Sequence, residues 1–565
     1  MIEREITLSE ILIAREERVG IQNALLAEYP APVVSFTMNV AGPVKVTGLS
    51  HRAFLWGMEQ LRLGFVQNRM RVLKEYTRSL PTGDEGYFAV DAPAEAVKAL
   101  CVEIEESSVA GRLYDMDVIG LDGKKLERGV ERPCIVCGEP GRGCASRRVH
   151  TAAEVREAGD RVLEQALFLH DRAEISRLAT SALLEEVSVT PKPGLVDRAN
   201  NGSHRDMDFS SFQASAAALV PYWAECFGIQ NATCKVQNEG TDPSTTLRSA
   251  QDDRRRTITP AETFAALRPI GKQAERDMLA ATGGVNTHKG AIFTLGVLCG
   301  AIGRRWTARE GFPSVDIILD EAAAMTRETL EQELPAAHWN TAGEALYRQY
   351  GTRGIRGEVA DGLPAVREVS LPVFRAMLAQ GLDRNHAAAV TLLHLIANVE
   401  DTNLLHRGGP AGAAWAREQA AELLFPACHS ERSEESVPPA ASLEKRTDSS
   451  TSLRSAQNDR QETLMPKAAE LLSPACHSER SEESVPPAAS LEKRTDSSTS
   501  PRSAQNDRQE TLMPKAAELI LGSRVPSLQE IAELDRQFIQ RKLSPGGCAD
   551  LLAVTLFLDS LPTEL

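Results

Sequence analysis

The sequence predicts a multidomain protein: an N-terminal α+β domain, then an all-α domain that carries disordered repeat insertions. Three observations predict it. The chain has 565 residues, more than one hydrophobic core ordinarily organises. Residues 1–165 mix strand and helix patterns, whereas residues 168–565 read mostly as helices between Gly/Pro/Asn loops. Polar segments that copy one another interrupt the helical part.

In the first domain, Ala31–Asn39 (APVVSFTMN) and Arg112–Leu121 (RLYDMDVIGL) have the β-branched and aromatic content of strands ended by Gly or Pro. In the second, helical spacing runs through Ala173–Val187, Phe212–Cys226, Lys289–Arg304 and Ala387–Leu405. Residues 426–471 recur at 474–519 with one change, Leu453 to Pro501, and Thr241–Thr257 matches Thr447–Thr463 at 12 of 17 positions. A structural solenoid shows hydrophobic periodicity and drift between copies. These copies are Ser/Glu/Arg/Pro-rich and almost identical, which points to duplicated, disordered insertions at 231–260 and 426–515. A partner-binding array is the alternative. Exposed loops tolerate such insertions because closure entropy grows slowly with length.

The formal net charge of −15 argues against a nucleic-acid-binding surface. The N-terminal stretch lacks the uninterrupted apolar core of a signal peptide. The most apolar run, Ala291 to Ile302, is far shorter than a bilayer requires. A soluble cytoplasmic protein without a membrane partner is expected. The ten cysteines are then expected to be reduced thiols.

Asp115 and Asp117 lie two apart in a strand, so their carboxylates share one face. Such a pair repels itself unless a cation joins it, and Mg²⁺ suits oxygen ligands with phosphate partners. A solvated strand face is the commoner explanation of a bare Asp-x-Asp; here Met116 and Val118-Ile119 suggest that the opposite face is packed. Cys134, Cys137, Cys144 and His150 could supply a structural zinc site. Their spacing is irregular and a second CxxC pair is missing, so reduced cysteines in a loop are the preferred reading.

Four polar islands mark the helical domain. TPKPGLVDRANNGSHRDMDF (190–209) places Asp197, Arg198, His204, Asp206 and Asp208 behind a rigid Pro/Gly entry. ATGGVNTHKGAIFTLG (281–296) leads from a Gly-Gly turn through Asn286, Thr287, His288 and Lys289 into a helix, which suits a polyphosphate. In TLLHLIANVEDTNLLHRGG (391–409), Thr391, His394, Asn398 and Asp401 fall on one line of a single helix, with Arg407 near its end and Glu400 elsewhere. A buried polar stripe must be satisfied by other helices or by a ligand. SPGGCADLLAVTLFL (544–558) opens a helix with Asp550 in its first turn, where the helix dipole accounts for the carboxylate as well as function does.

The segments SFTMNVAGPVK (35–45) and GRLYDMDVIG (111–120) resemble the holo-citrate lyase synthase family, which is similar in outline to nucleotidyltransferases. That resemblance implies a nucleotidyltransferase-like fold. It also implies transfer of phosphoribosyl-dephospho-CoA to a serine on the acyl carrier (gamma) subunit of citrate lyase, with loss of pyrophosphate. Asp115 and Asp117 would hold Mg²⁺, and Lys45 and Arg112 would meet phosphate. The four helical islands resemble the triphosphoribosyl-dephospho-CoA synthase family, in which the ribose 2′-hydroxyl of 3′-dephospho-CoA displaces adenine from ATP. The product of that domain is the substrate of the first. For that chemistry the residue types assign Asp206, Asp208 and Asp401 to metal or base roles, with Mg²⁺ expected at Asp206 and Asp208. His204 or His288 is the acid, and Lys192, Arg198, Lys289 and Arg407 hold phosphates. Asp197, Asn286, His394, Asn398 and Asn403 complete the substrate contacts. Maturation of malonate decarboxylase and a non-catalytic scaffold that docks the carrier stay open as alternatives.

Overall fold

Capping chemistry starts many of the helices. Thr7, Thr151, Thr259 and Ser527 each accept the backbone N–H of a glutamate three residues on, whose carboxylate returns to the cap. The computed structural model describes residues 3–129, 132–139, 141–236, 258–336, 342–426, 519–520 and 522–562. Among them no helix is long and apolar enough to cross a membrane.

The N-terminal part contains α1 (Leu8–Glu28), β1 (Val33–Met38), α2 (Gly48–Gln67), β2 (Arg71–Leu80), β3 (Gly83–Asp91), α3 (Ala94–Ser107) and β4 (Tyr114–Ile119). The strands form one antiparallel sheet in the order β2-β3-β1-β4. Both expected strands are present, slightly shortened. The β2–β3 hairpin was not foreseen: β2 is an edge strand whose residues are mostly exposed, so it lacks an apolar alternation. Val34, Phe36, Tyr114, Met116 and Val118 face α2 and α3 and form a buried core with Phe54, Phe65 and Phe88.

After the short helix α4 (Gly141–Arg147), helix α5 (Ala152–Ser188) runs for 37 residues. It crosses the boundary expected near 165–168. Leu163, Ala166 and Leu167 belong to the N-terminal core, whereas Ile175, Leu178 and Leu183 belong to the helical one. Between them Asp171, only 1% exposed, takes Arg52 Nη2 at 2.6 Å, Trp306 Nε1 at 2.6 Å and His170 Nδ1 at 3.0 Å. Arg52 also donates to the Ala308 carbonyl, so one buried carboxylate ties the two cores together.

The helical part continues with α6 (Phe209–Ala218), α7 (Val220–Val236), α8 (Pro260–Ala281), α9 (Lys289–Arg305), α10 (Val315–Ala336), α11 (Ala342–Tyr350) and α12 (Gly354–Ala360). It ends with α13 (Leu371–Ala379), α14 (Arg384–Asn398), α15 (Thr402–Leu424), α16 (Leu528–Arg541) and α17 (Gly546–Ser560). The insertion expected at 231–260 meets helix at both edges, α7 to Val236 and α8 from Pro260; residues 237–257 lie outside the described residues. The repeat region 426–515 lies outside them from 427 onward. The single helix expected over Ala387–Leu405 is two, because Asp401 caps a new helix at Thr402.

Candidate functional site

All four polar islands of the helical part meet at one cavity of about 650 Å³. The first supplies Lys192 and His204; the second Asn286, Thr287, His288 and Lys289; the third Asp401, Asn403 and Arg407; the fourth Ser544 and Asp550. Glu186, Glu275, Arg353 and Glu358, not foreseen from sequence, also line it, and so does Glu400, which the sequence pattern sets apart from the polar stripe.

Lys192 is fully buried, spending two of its three protons on the Glu186 carboxylate (2.6 Å) and carbonyl (2.9 Å). Burial raises the Glu186 carboxyl while Lys192 opposes it. Asp550 reaches the start of α9, where it accepts the Ala291 N–H. Burial first, then the charges of Glu186 and Asp401, raise Asp550 well above the usual carboxylate range. Gly290 makes this approach possible: a Cβ there would sit 1.8 Å from Asp550 Oδ2. Asp550 therefore belongs to the cavity as well as to a helix terminus. It is the one carboxylate of an otherwise apolar run (CADLLAVTLFL), a signal visible in the sequence.

Asp401 is a tie. Its Oδ1 accepts from Asn403 N (2.7 Å) and Leu404 N (3.0 Å), and its Oδ2 accepts from Cys548 N (2.8 Å). It thereby caps α15 and staples it to the first turn of α17, where Gly547 lets it pass: a Cβ there would lie 3.0 Å from Oδ2. These bonds engage both oxygens, so the metal or base role expected of Asp401 would share the side chain with a structural one. His204 is also tied. Arg407 Nη2 donates to Nδ1 (3.1 Å), so Nε2–H donates to Ser544 Oγ (2.9 Å). Burial and the Arg407 charge press its pKa down to about 4. A proton held so weakly makes a poor general acid at neutral pH. His288 Nδ1 meets Ser215 Oγ at 2.6 Å, while Nε2 is buried without a hydrogen-bond partner among the described residues. Burial, then Lys192, lowers its pKa to about 3.

Several expected site residues lie elsewhere. Asp206 is exposed and is not among the residues lining the cavity. Asp208 is the N-cap of α6, bonded to Ser210 and Ser211. Neither belongs to a group of three or more metal-binding side chains among the described residues. Asp197 closes its own loop through the N–H groups of Ala199, Asn200 and Lys192, and Arg198 is exposed outside the cavity lining. The polar stripe of α14 does not converge on the cavity either. Thr391 bonds the Ala387 carbonyl, Asn398 bonds the His394 carbonyl, and His394 is buried against Phe425.

On the sheet, Asp115 and Asp117 share the face of β4 opposite the core, paired in register with Thr37 and Ser35. Lys125 Nζ lies 2.5 Å from Asp117 Oδ1. Burial first, then the charge of Asp115, raises Asp117. Arg112 Nη2 donates to the Pro133 carbonyl; burial, then Arg132 and Arg128, lowers its pKa. Lys45 donates to the Val40 carbonyl (2.6 Å); burial, then Arg156 and Arg15, lowers its pKa, so a cationic group lies beside the Gly-Pro loop. Cys134, Cys137, Cys144 and His150 place their donor atoms within 4.8 Å of one another.

Two cores, each with its own cluster of carboxylates and cations, describe a two-centre enzyme. Residues 6–166 match the apo-citrate lyase phosphoribosyl-dephospho-CoA transferase family, and residues 172–446 and 491–565 match the ATP:dephospho-CoA triphosphoribosyl transferase family. Protein CitXG of Haemophilus influenzae is 34% identical over 432 residues, covering 74% of this chain and 87% of that protein. Protein CitXG of Leuconostoc mesenteroides subsp. cremoris is 31% identical over 425 residues, covering 72% and 85%. The 2-(5''-triphosphoribosyl)-3'-dephosphocoenzyme-A synthase of Klebsiella pneumoniae is 41% identical over 254 residues, covering 45% of this chain and 76% of that protein. The chain belongs to the fused CitXG family, a bifunctional transferase of citrate lyase maturation.

Proposed function

We propose that the helical part (168–565) joins ATP to 3′-dephospho-CoA, releasing adenine. The N-terminal part (1–165) then transfers phosphoribosyl-dephospho-CoA from that product to a serine of the acyl carrier (gamma) subunit of citrate lyase, releasing pyrophosphate. Both steps run in the cytoplasm. The observation that carries this reading is the meeting of all four polar islands at one cavity inside the family-matched region.

In the first step the C1′–N9 bond of ATP breaks and a bond from C1′ to the 2′-oxygen of dephospho-CoA forms. The hydroxyl proton is lost and adenine leaves with a proton. Asp550 is the cavity carboxylate that takes the hydroxyl proton: burial and the neighbouring charges of Glu186 and Asp401 raise its affinity for protons, as a general base requires. Glu186, paired with Lys192, stabilises the positive charge that develops on the ribose. Lys289, Arg407 and Asn403 on the cavity wall receive phosphate oxygens, and Asn286 and His288 the adenine. Mg²⁺ binds through one or two carboxylates plus substrate phosphates. With Asp550 serving as the base, Glu186 bonded to Lys192 and Asp401 capping α15, Glu275, Glu358 and Glu400 are the remaining wall carboxylates that would meet it. When bound, the ion neutralises triphosphate charge.

In the second step Asp115 and Asp117 form the acidic ledge of a nucleotidyltransferase-like sheet, and their mutual repulsion fits a divalent cation on the same terms. Lys45 and Arg112 hold phosphate. The near-identical copies from 426 onward, and the pause in the family match over 447–490, support reading the repeats as insertions. The test is adenine release by the full-length chain with ATP, 3′-dephospho-CoA and Mg²⁺. Release that depends on dephospho-CoA is expected; a folded, ATP-binding chain that releases none would overturn the reading in favour of a docking scaffold.

A further inference from the structure

We infer that Cys134, Cys137, Cys144 and His150 form a structural Zn²⁺ centre that fixes the turn carrying Arg132 against the start of β4. The cysteines are not paired as disulfides. Their three sulfurs and the imidazole nitrogen lie within 4.8 Å of one another, and Cys137 and Cys144 Sγ are 3.4 Å apart. A tetrahedral ion with bonds of about 2.3 Å needs donor separations of roughly 3.8 Å, so small side-chain adjustments complete the shell.

The backbone is already shaped for it. Residues 134–138 form a tight turn in which Gly138 N donates to the Cys134 carbonyl at 2.9 Å. Gly138 has φ +77°, a conformation that glycine adopts without strain. The N–H groups of Val136 and Cys137 point at Cys134 Sγ, the arrangement that stabilises a thiolate. Helix α4 brings Cys144 back to the turn, and this removes the objection raised by the irregular spacing. His150 supplies the independent observation: its Nε2 is buried without a hydrogen-bond partner among the described residues. A Cys137–Cys144 disulfide would leave both that nitrogen and Cys134 unexplained. Three thiolates and one imidazole select zinc over Mg²⁺, which demands oxygen, and fall short of the Cys₄ set of an iron–sulfur cluster.

The position assigns the centre its work. Arg132, two residues before the first cysteine, donates to the Tyr114 carbonyl at 2.6 Å and pairs with Glu105 at 2.7 Å. Arg112 holds the Pro133 carbonyl from the other side. His150 directly precedes Thr151, the cap of α5. The ion thus locks the turn, the base of the Asp115/Asp117 strand and the start of the long helix into one unit. Its effect on carrier transfer rests on the function proposed above; its presence does not.

The test is elemental analysis of the full-length chain purified without chelator, where about one Zn²⁺ per chain is expected. Cys137→Ser and Cys144→Ser should each lose most of the metal while retaining adenine release, which reports that the helical core is folded. Replacement of zinc by Co²⁺ in the unaltered chain should give thiolate-to-cobalt charge transfer and the strong visible bands of a tetrahedral site. A wild-type chain without zinc and without those bands, variants that keep their zinc, or a Cys137–Cys144 disulfide found by thiol mapping would each overturn the proposal. Loss of adenine release in the unaltered, zinc-loaded chain would count against the function and leave the metal site standing.

Discussion

Replacing Asp401 with alanine separates a structural tie from a catalytic carboxylate. The side chain is 3% exposed and holds three backbone N–H groups, two at the start of α15 and one at the start of α17. Loss of an N-cap costs about 1 kcal/mol. Leaving the buried Cys548 N–H without an acceptor costs about 1–3 kcal/mol more. Burial already raises the Asp401 carboxyl, so relief of that desolvation returns part of the loss. The net expectation is about 2–3 kcal/mol of destabilisation, within the ordinary range for a broken buried hydrogen-bond network. The assay is urea unfolding followed by helical circular dichroism, alongside adenine release measured well below the unfolding transition. The expected result is an earlier unfolding midpoint with adenine release within about tenfold of wild type, far from the 10²–10⁴ of a lost general base. A variant with the wild-type midpoint and no adenine release would refute the capping account and return Asp401 to the chemistry.

Three further outcomes follow from the same geometry. His204→Gln can keep both the Ser544 and Arg407 bonds, so adenine release at pH 7 should persist within about tenfold; a loss near 10³ would show that His204 is the acid. The histidine is pressed from 6.5 to about 4 on folding, so its stabilising effect is complete above pH 6.5 and is lost as the pH falls towards 4. Between pH 7.5 and 5 the wild type should accordingly lose about 2 kcal/mol relative to His204→Gln, and equal midpoints at both pH values would contradict the burial of a neutral ring. Gly290→Ala drives a methyl group into Asp550 and should cut adenine release at least tenfold without unfolding the chain, while transfer from pre-made donor continues; unchanged release would remove Asp550 from the reaction. Arg52→Leu strips the main counter-charge from Asp171 and should cost about 3 kcal/mol, seen as a thermal melt that divides into two transitions; a single unshifted transition would deny that this carboxylate ties the cores.

The sequence carried the class of each half and the composition of the cavity more clearly than the roles within it. Polar islands in apolar helices stand out because buried polar groups need partners, and all four do converge. Roles were harder to read because a carboxylate at a helix start serves equally as cap or ligand. Asp208 and Asp401 are caps, Asp401 at the cavity wall as well, and Asp550, read as a dipole contact, also lines the cavity. The stripe drawn through His394 and Asn398 assumed one continuous helix; the break after Asn398 moves Asp401 off that line. Glu186 was hidden at the end of an ordinary amphipathic run, and only the fold brings Lys192 onto it. The β2–β3 hairpin left little trace because an edge strand needs no apolar face.

The central claim, two separate centres in one chain, is tested most directly by a matched pair of variants assayed for both steps. Asp117→Ala should release adenine at the wild-type rate yet fail to modify the acyl carrier. Asp550→Asn should release little adenine, yet modify the carrier when supplied with pre-made 2′-(5″-triphosphoribosyl)-3′-dephospho-CoA. If both variants remain folded and either one loses both activities, or if Asp550→Asn still releases adenine at the wild-type rate, the assignment of the two centres is wrong.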